Sequence, residues 1–138
     1  MVNITDIIEV IELYRKFSRY DSYTDKELAK SIIPSLSLSQ YKIFKDNKNL
    51  KVYGFVNWAF MNKENKKSFL STGIIDNLDW NTGNNLIFID LIGTKNIKQI
   101  FDWSINKASS FNNIEKEFNW IRVNNNNKVK RINTKQIR

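Results

Sequence analysis

Two helical periodicities at the start, several short apolar runs in the middle and a strand-helix-strand unit near the end predict an α+β or α/β fold in one layer-packed domain. The 138 residues, 41% hydrophobic and 13% aromatic, suffice for one core and leave no room for a second. Residues 1–138 are therefore read as a single domain, of which 124–138 form a basic C-terminal segment.

Ile7, Ile8, Ile11 and Tyr14, with Val10, Leu13 and Phe17, recur at steps of three and four, which predicts a helix over about 6–17. A polar, aromatic-rich connector follows, Ser18-Arg19-Tyr20-Asp21-Ser22-Tyr23. Thr24 and Glu27 then have capping-box spacing, so a second helix starts near Asp25 and should end or bend at Pro34, the only proline. Residues 40–45 and 50–60 read as strands joined by the turn residues Asp46-Asn47-Lys48-Asn49. The second is nearly all apolar, the pattern of a central strand covered on both faces. Asn62 to Leu70 suits a short surface helix. The turn-rich stretch 79–85 feeds a strand over 86–92 that stops at Gly93. Ile97, Ile100, Phe101, Ile105 and Ala108 predict a third long helix capped near Thr94 or Asn96, and Phe118 to Val123 a last strand.

Composition narrows the chemistry. With no cysteine, disulfide scaffolds, thiol nucleophiles and zinc–thiolate sites are excluded. With no histidine, the usual base near neutral pH and any Ser-His-Asp triad are excluded too. Catalysis must then use Asp, Glu, Lys, Tyr, Ser or the backbone, or a group borrowed from another chain. The first residues carry no signal-peptide pattern and no apolar run spans a bilayer, so a cytoplasmic protein is expected. A formal charge of +8 favours an acidic partner, although frequent Asn, Ile and Lys also fit A/T-rich coding.

Asp90 is the sharpest single feature, an acid in a strand otherwise built of Ile, Phe and Leu. Burial would raise its pKa and nearby donors or cations would lower it, both common at working carboxylates. A strand-end Asp in solvent, or one capping the next loop, is the plainer alternative. The basic residues after Trp120 fit three roles: a solvated, partly disordered terminus, a dock for an acidic carrier protein, or a nucleic-acid contact, the last lacking any recognised binding motif. Tyr20 and Tyr23 place hydroxyls in a connector of the kind that builds sites. No phosphate-cradling glycine loop or metal-ligand cluster is visible.

Five segments, taken together, have the order and spacing of a known family: Gln40-Tyr41; Gly54-Phe55-Val56-Asn57-Trp58-Ala59; Asp79-Trp80-Asn81-Thr82-Gly83; Phe88-Ile89-Asp90-Leu91-Ile92; and Ile121-Arg122-Val123. They resemble the toxin-activating lysine acyltransferases, which fatty-acylate repeat-in-toxin proteins with acyl carrier protein as donor. The resemblance runs from about Pro34 to Val123. It implies an α+β domain of the Gcn5-like N-acetyltransferase type, with a central mixed, mostly antiparallel sheet flanked by helices, and often a dimer. It places Asp90 on the family's functional aspartate. The family's essential histidine lies between the first two helices, where spacing puts Tyr20; here no histidine exists to carry over.

Losing a positioned base typically removes about 10²- to 10⁴-fold in rate. Three outcomes follow: Asp90 takes the acceptor's proton itself, with Tyr20 or Tyr23 donating to the oxyanion; a companion subunit supplies the missing group; or the chain only binds. The second is similar to a branch that matures siderophore-carrying microcins, in which such a subunit and a second protein join a glycosylated catechol siderophore to a peptide's C-terminal serine. The catalytic candidates are thus Asp90, which the resemblance implies, with Tyr20 and Tyr23 as candidate oxyanion donors. Trp58, Trp80, Arg122, Lys128, Lys130 and Arg131 are candidates for binding substrate or partner. No metal or tightly bound cofactor is expected, the acyl donor (acyl carrier protein or siderophore conjugate) being a co-substrate. The expected partners are a toxin or microcin peptide and a companion subunit or second copy; nucleic acid is disfavoured.

Overall fold

The computed structural model describes residues 2–111, 114–115, 117–123 and 129–136. Helix α1 (Ile4–Tyr14), a 3-10 turn (Ser18–Tyr20) and α2 (Asp25–Ser37) precede the hairpin β1 (Tyr41–Lys45) and β2 (Val52–Met61). Then come α3 (Lys63–Thr72), β3 (Asn85–Gly93), α4 (Ile97–Ser110), β4 (Glu117–Val123) and β5 (Val129–Gln136). The five strands form one sheet in sequence order. Every pairing is antiparallel except β3 with β4, which are joined by the α4 crossover and run parallel. This is the mixed, mostly antiparallel sheet of an α+β fold.

Side chains alternate across β2, and each face has its own core. Val56 and Trp58, with Leu86, Phe88 and Phe118, pack against Ile100 and Ala108 of α4. On the other face Phe55 meets Val10, Leu13 and Tyr14 of α1 and Leu28, Ile32 and Leu36 of α2. Farther along that face Ala59, Met61 and Ile87 pack with Phe69 of α3 and Trp80. The expectation of a central strand covered on both sides holds for β2, whose residues Tyr53–Ala59 are all buried. Helix α4 lies close because the cross-strand pair Gly54 and Gly93 leaves a gap in the side-chain layer. A Cβ at either position would stand 2.6 or 2.5 Å from Ile100 Cδ1.

Three expectations are corrected. Helix α1 stops at Tyr14 rather than Phe17, and Arg15 reaches across the turn to the Tyr20 carbonyl at 3.0 Å and to Asp25 at 2.7 Å. Pro34 does not end α2: the helix runs on to Ser37, since its buried face continues through Ser35 and Leu36. Tertiary packing outweighs the one missing amide there. The solvated, disordered reading of the basic segment fails for residues 129–136, which form β5 and pair along β4. The capping box is as expected, with Glu27 N–H donating to Thr24 Oγ1 at 3.1 Å and Thr24 N–H to Glu27 Oε1 at 3.0 Å. Among the described residues no helix is long and apolar enough to cross a membrane.

Candidate active site

Simple alternation along β3 would put Asp90 on the same face as Leu86 and Phe88, inside the aromatic core beneath α4. A bulge prevents this. The register passes from Trp58 opposite Phe88 to Asn57 opposite Asp90, so Ile89 is the extra residue. Ile87 and Ile89 both pack beside the α3 core, and Asp90 turns with them to the α1 side. The bulge also falls where β3 and β4 part. Their ladder comprises Leu86 with Phe118, Ile87 with Asn119 and Phe88 with Trp120, and ends there. Asp90 therefore stands two residues beyond the last pair of the parallel ladder.

There its carboxylate is partly buried and accepts a 2.5 Å hydrogen bond at Oδ2 from the Tyr14 hydroxyl. The Asp90 amide donates to Asn57 Oδ1 at 2.8 Å, and Asn57 Nδ2 donates to Ser35 Oγ at 3.1 Å. Side chains of α1, β2 and α2 thus converge on one residue of β3. Burial pushes the Asp90 pKa above the ordinary carboxylate value, opposed by the Tyr14 hydrogen bond and the Arg19 guanidinium. Tyr14 is itself raised, by burial first and by the Asp90 charge next. Tyr20 shifts the same way for the same two causes.

Tyr20 packs edge-on to Tyr14 with ring centroids 4.7 Å apart, and Arg19 lies over its ring at 4.8 Å. Its hydroxyl is buried without a hydrogen-bond partner among the described residues. Such an orphan donor carries a desolvation cost unless a ligand satisfies it. Tyr23 leans on the Tyr20 ring at 5.9 Å. The structure thus gathers the three catalytic candidates named from sequence, Asp90, Tyr20 and Tyr23, in one place. Sequence reading missed Tyr14, which it took for one more apolar position of α1, and the Asn57–Ser35 tether. The polar Asn57 in a nearly apolar strand was the available signal.

The candidates for partner binding separate. Trp58 and Trp80 are each 2% exposed, so both are core side chains rather than surfaces a partner reaches. Trp58 faces α4, away from Asp90, and takes part in an aromatic cluster with Phe88, Trp103 and Phe111. Trp80 sits under α3, and its carbonyl accepts from Phe60 N–H and from the Gln40 side chain at 3.0 Å each. Arg122 and Arg131 stand opposite each other in the β4–β5 register, with Lys130 beside them on β5; Lys128 lies outside the described residues. Among the described residues no group of three or more His, Cys, Asp or Glu could hold a metal ion.

A carboxylate with a raised pKa, held at a parting of strands beside an unpartnered hydroxyl, can take a proton from a nucleophile while the hydroxyl stabilises an oxyanion. The fold is that of a GNAT-like domain: the loading GNATL domain of CurA from Lyngbya majuscula is similar, at 9% sequence identity and a TM-score of 0.61. The likeness covers 88% of this chain, which spans 62% of that one. No curated protein matches the chain. Residues 3–136 match the model of the RTX toxin acyltransferase family, HlyC, and that span takes in Tyr14, Tyr20, Asn57 and Asp90. The chain belongs to the RTX toxin acyltransferase family.

Proposed function

We propose that this protein modifies a ribosomally made bacterial toxin by transferring an acyl-type group onto a nucleophile of that peptide, with Asp90 as general base. One observation carries the reading: the bulge of β3 takes the only acid of that strand out of the aromatic core and sets it, partly buried, where β3 and β4 part. The carboxylate removes the proton of the attacking amine or hydroxyl as the new bond to the acyl carbon forms. The Tyr20 hydroxyl, or that of Tyr23, donates to the oxyanion of the tetrahedral intermediate. As the intermediate collapses, the donor's thiol or alcohol leaves and regains the proton from Asp90. An amide-bearing donor arm fits the parted strands, whose backbone groups lie beyond the end of the ladder.

The donor is brought by an acidic carrier meeting the basic residues Arg122 of β4 and Lys130 and Arg131 of β5, together with Lys128 of the same basic segment of the sequence. The absence of histidine supports a companion subunit and the siderophore-microcin branch, in which a catechol siderophore is joined to a peptide's C-terminal serine. A cytoplasmic setting follows from such a donor. The test co-expresses the chain with the toxin or precursor peptide encoded beside its gene and reads the peptide's intact mass. Added fatty acyl mass supports lysine or serine acylation, added siderophore mass supports the microcin branch, and an unchanged mass in the presence of every neighbouring gene product contradicts acyl transfer.

A further inference from the structure

We propose that Tyr14 is the positioning residue of this site: its hydroxyl pins Oδ2 of Asp90 and leaves Oδ1 to receive the acceptor's proton. The inference rests on the reading of Asp90 as base and adds the group that makes an isolated carboxylate fit for that work. Among the described residues no hydrogen bond is made to Oδ1, whereas Oδ2 is held at 2.5 Å. Tyr14 has little freedom of its own. It is 1% exposed, at the end of α1, with its ring wedged between Tyr20 at 4.7 Å and Phe55 at 6.2 Å. The carboxyl group is thereby fixed from α1, while the Asn57–Ser35 tether fixes its backbone from β2 and α2. A tyrosine buried only for packing would need just a carbonyl for its hydroxyl; aiming it at a carboxylate adds the cost of taking a charge out of water. That cost is understandable where orientation of the carboxylate is what the site requires.

The bond has an electrostatic consequence that a purely structural contact would lack. Burial raises Asp90, and the Tyr14 hydrogen bond opposes the rise by favouring the ionised form, which is the form a base needs. The other groups coupled to the carboxylate are Tyr20 and Arg19 of the 3-10 turn; β2 contributes uncharged Asn57, and α2 reaches the site through uncharged Ser35.

The experiment titrates the Asp90 carboxyl by carbon-13 NMR in the full chain, assigned with Asp90→Asn. Tyr14→Phe, which keeps the ring and deletes the donor, is expected to move the midpoint upward. It should also lower kcat/KM for toxin modification about 10- to 100-fold at neutral pH, with the acid limb of the rate profile displaced in the same direction. An unchanged or lower midpoint in folded Tyr14→Phe overturns the proposal. Should that variant not fold, 3-fluorotyrosine introduced at position 14 keeps the shape and strengthens the donor; it must lower the midpoint, and failure to do so is equally fatal. Because the titration needs no substrate, a shifted midpoint in a protein that modifies no toxin would contradict the acyltransferase reading while leaving Tyr14 as the partner that sets Asp90.

Discussion

Holding the Asp90 carboxylate away from water carries an electrostatic cost that the folded chain bears. Because the Asp90 pKa is raised in the folded chain, the folded state binds more protons than the unfolded state between the two pKa values. Stability is therefore fullest below the unfolded carboxylate's pKa and falls as pH rises through the folded value. Asp90→Asn keeps an acceptor for Tyr14 and removes the buried charge. It is expected to raise Tm at neutral pH, to flatten the acid-side pH dependence of Tm seen in calorimetry, and to cut toxin modification at least 10²-fold. Tyr20→Phe separates the roles further: deleting an orphan hydroxyl leaves stability unchanged or improved, so a fall in kcat with unchanged thermal unfolding identifies an oxyanion donor. Asp90 and Tyr20 were legible in the sequence, the first as an acid out of place in its strand and the second through the family's spacing. Tyr14 was not, because an amphipathic helix reads a tyrosine as apolar until the strand opposite supplies a carboxylate 76 residues away.

At the scale of elements, local chemistry was readable and non-local pairing was not. The capping box of α2, the hairpin turn after β1 and the helix after Gly93 are all announced by residues within a few positions. The bulge that turns Asp90 depends on β2 and β3 meeting in one register, which no short window encodes. For a related reason Pro34 does not end α2, since contacts of α2 with α1 and β2 hold the helix through it. Two substitutions test the elements. Leu50 adopts a left-handed φ of 59° in the β1–β2 turn with 69% of its surface exposed. Leu50→Asn should stabilise by about 1 kcal/mol in urea unfolding, since Asn tolerates that conformation and little apolar burial is lost. Gly54→Val should cost about 1–3 kcal/mol by pushing Ile100 and α4 off the sheet.

For the molecule as a whole, the sheet order positions the candidate site: α4 covers one face, α1 and α2 bring Tyr14 and Ser35 to the other, and the parallel ladder ends beside Asp90. The α+β class was legible from periodicity, whereas the place of residues 129–136 in the sheet was hidden by their polar composition. Removing that segment would delete β5, so charge exchange is the cleaner probe. Lys128, Lys130 and Arg131 changed together to Gln should raise KM for an acyl-carrier donor, with a shallower salt dependence and kcat unchanged. With Asp90 as the base, the rate of toxin modification against pH, with donor limiting, must follow the ionisation of its carboxyl group. A limb of slope one whose midpoint coincides with the NMR titration of Asp90, and which vanishes in Asp90→Asn, is expected; a wild-type profile with no such limb, or an Asp90→Asn protein working at the wild-type rate, rules out Asp90 as the base.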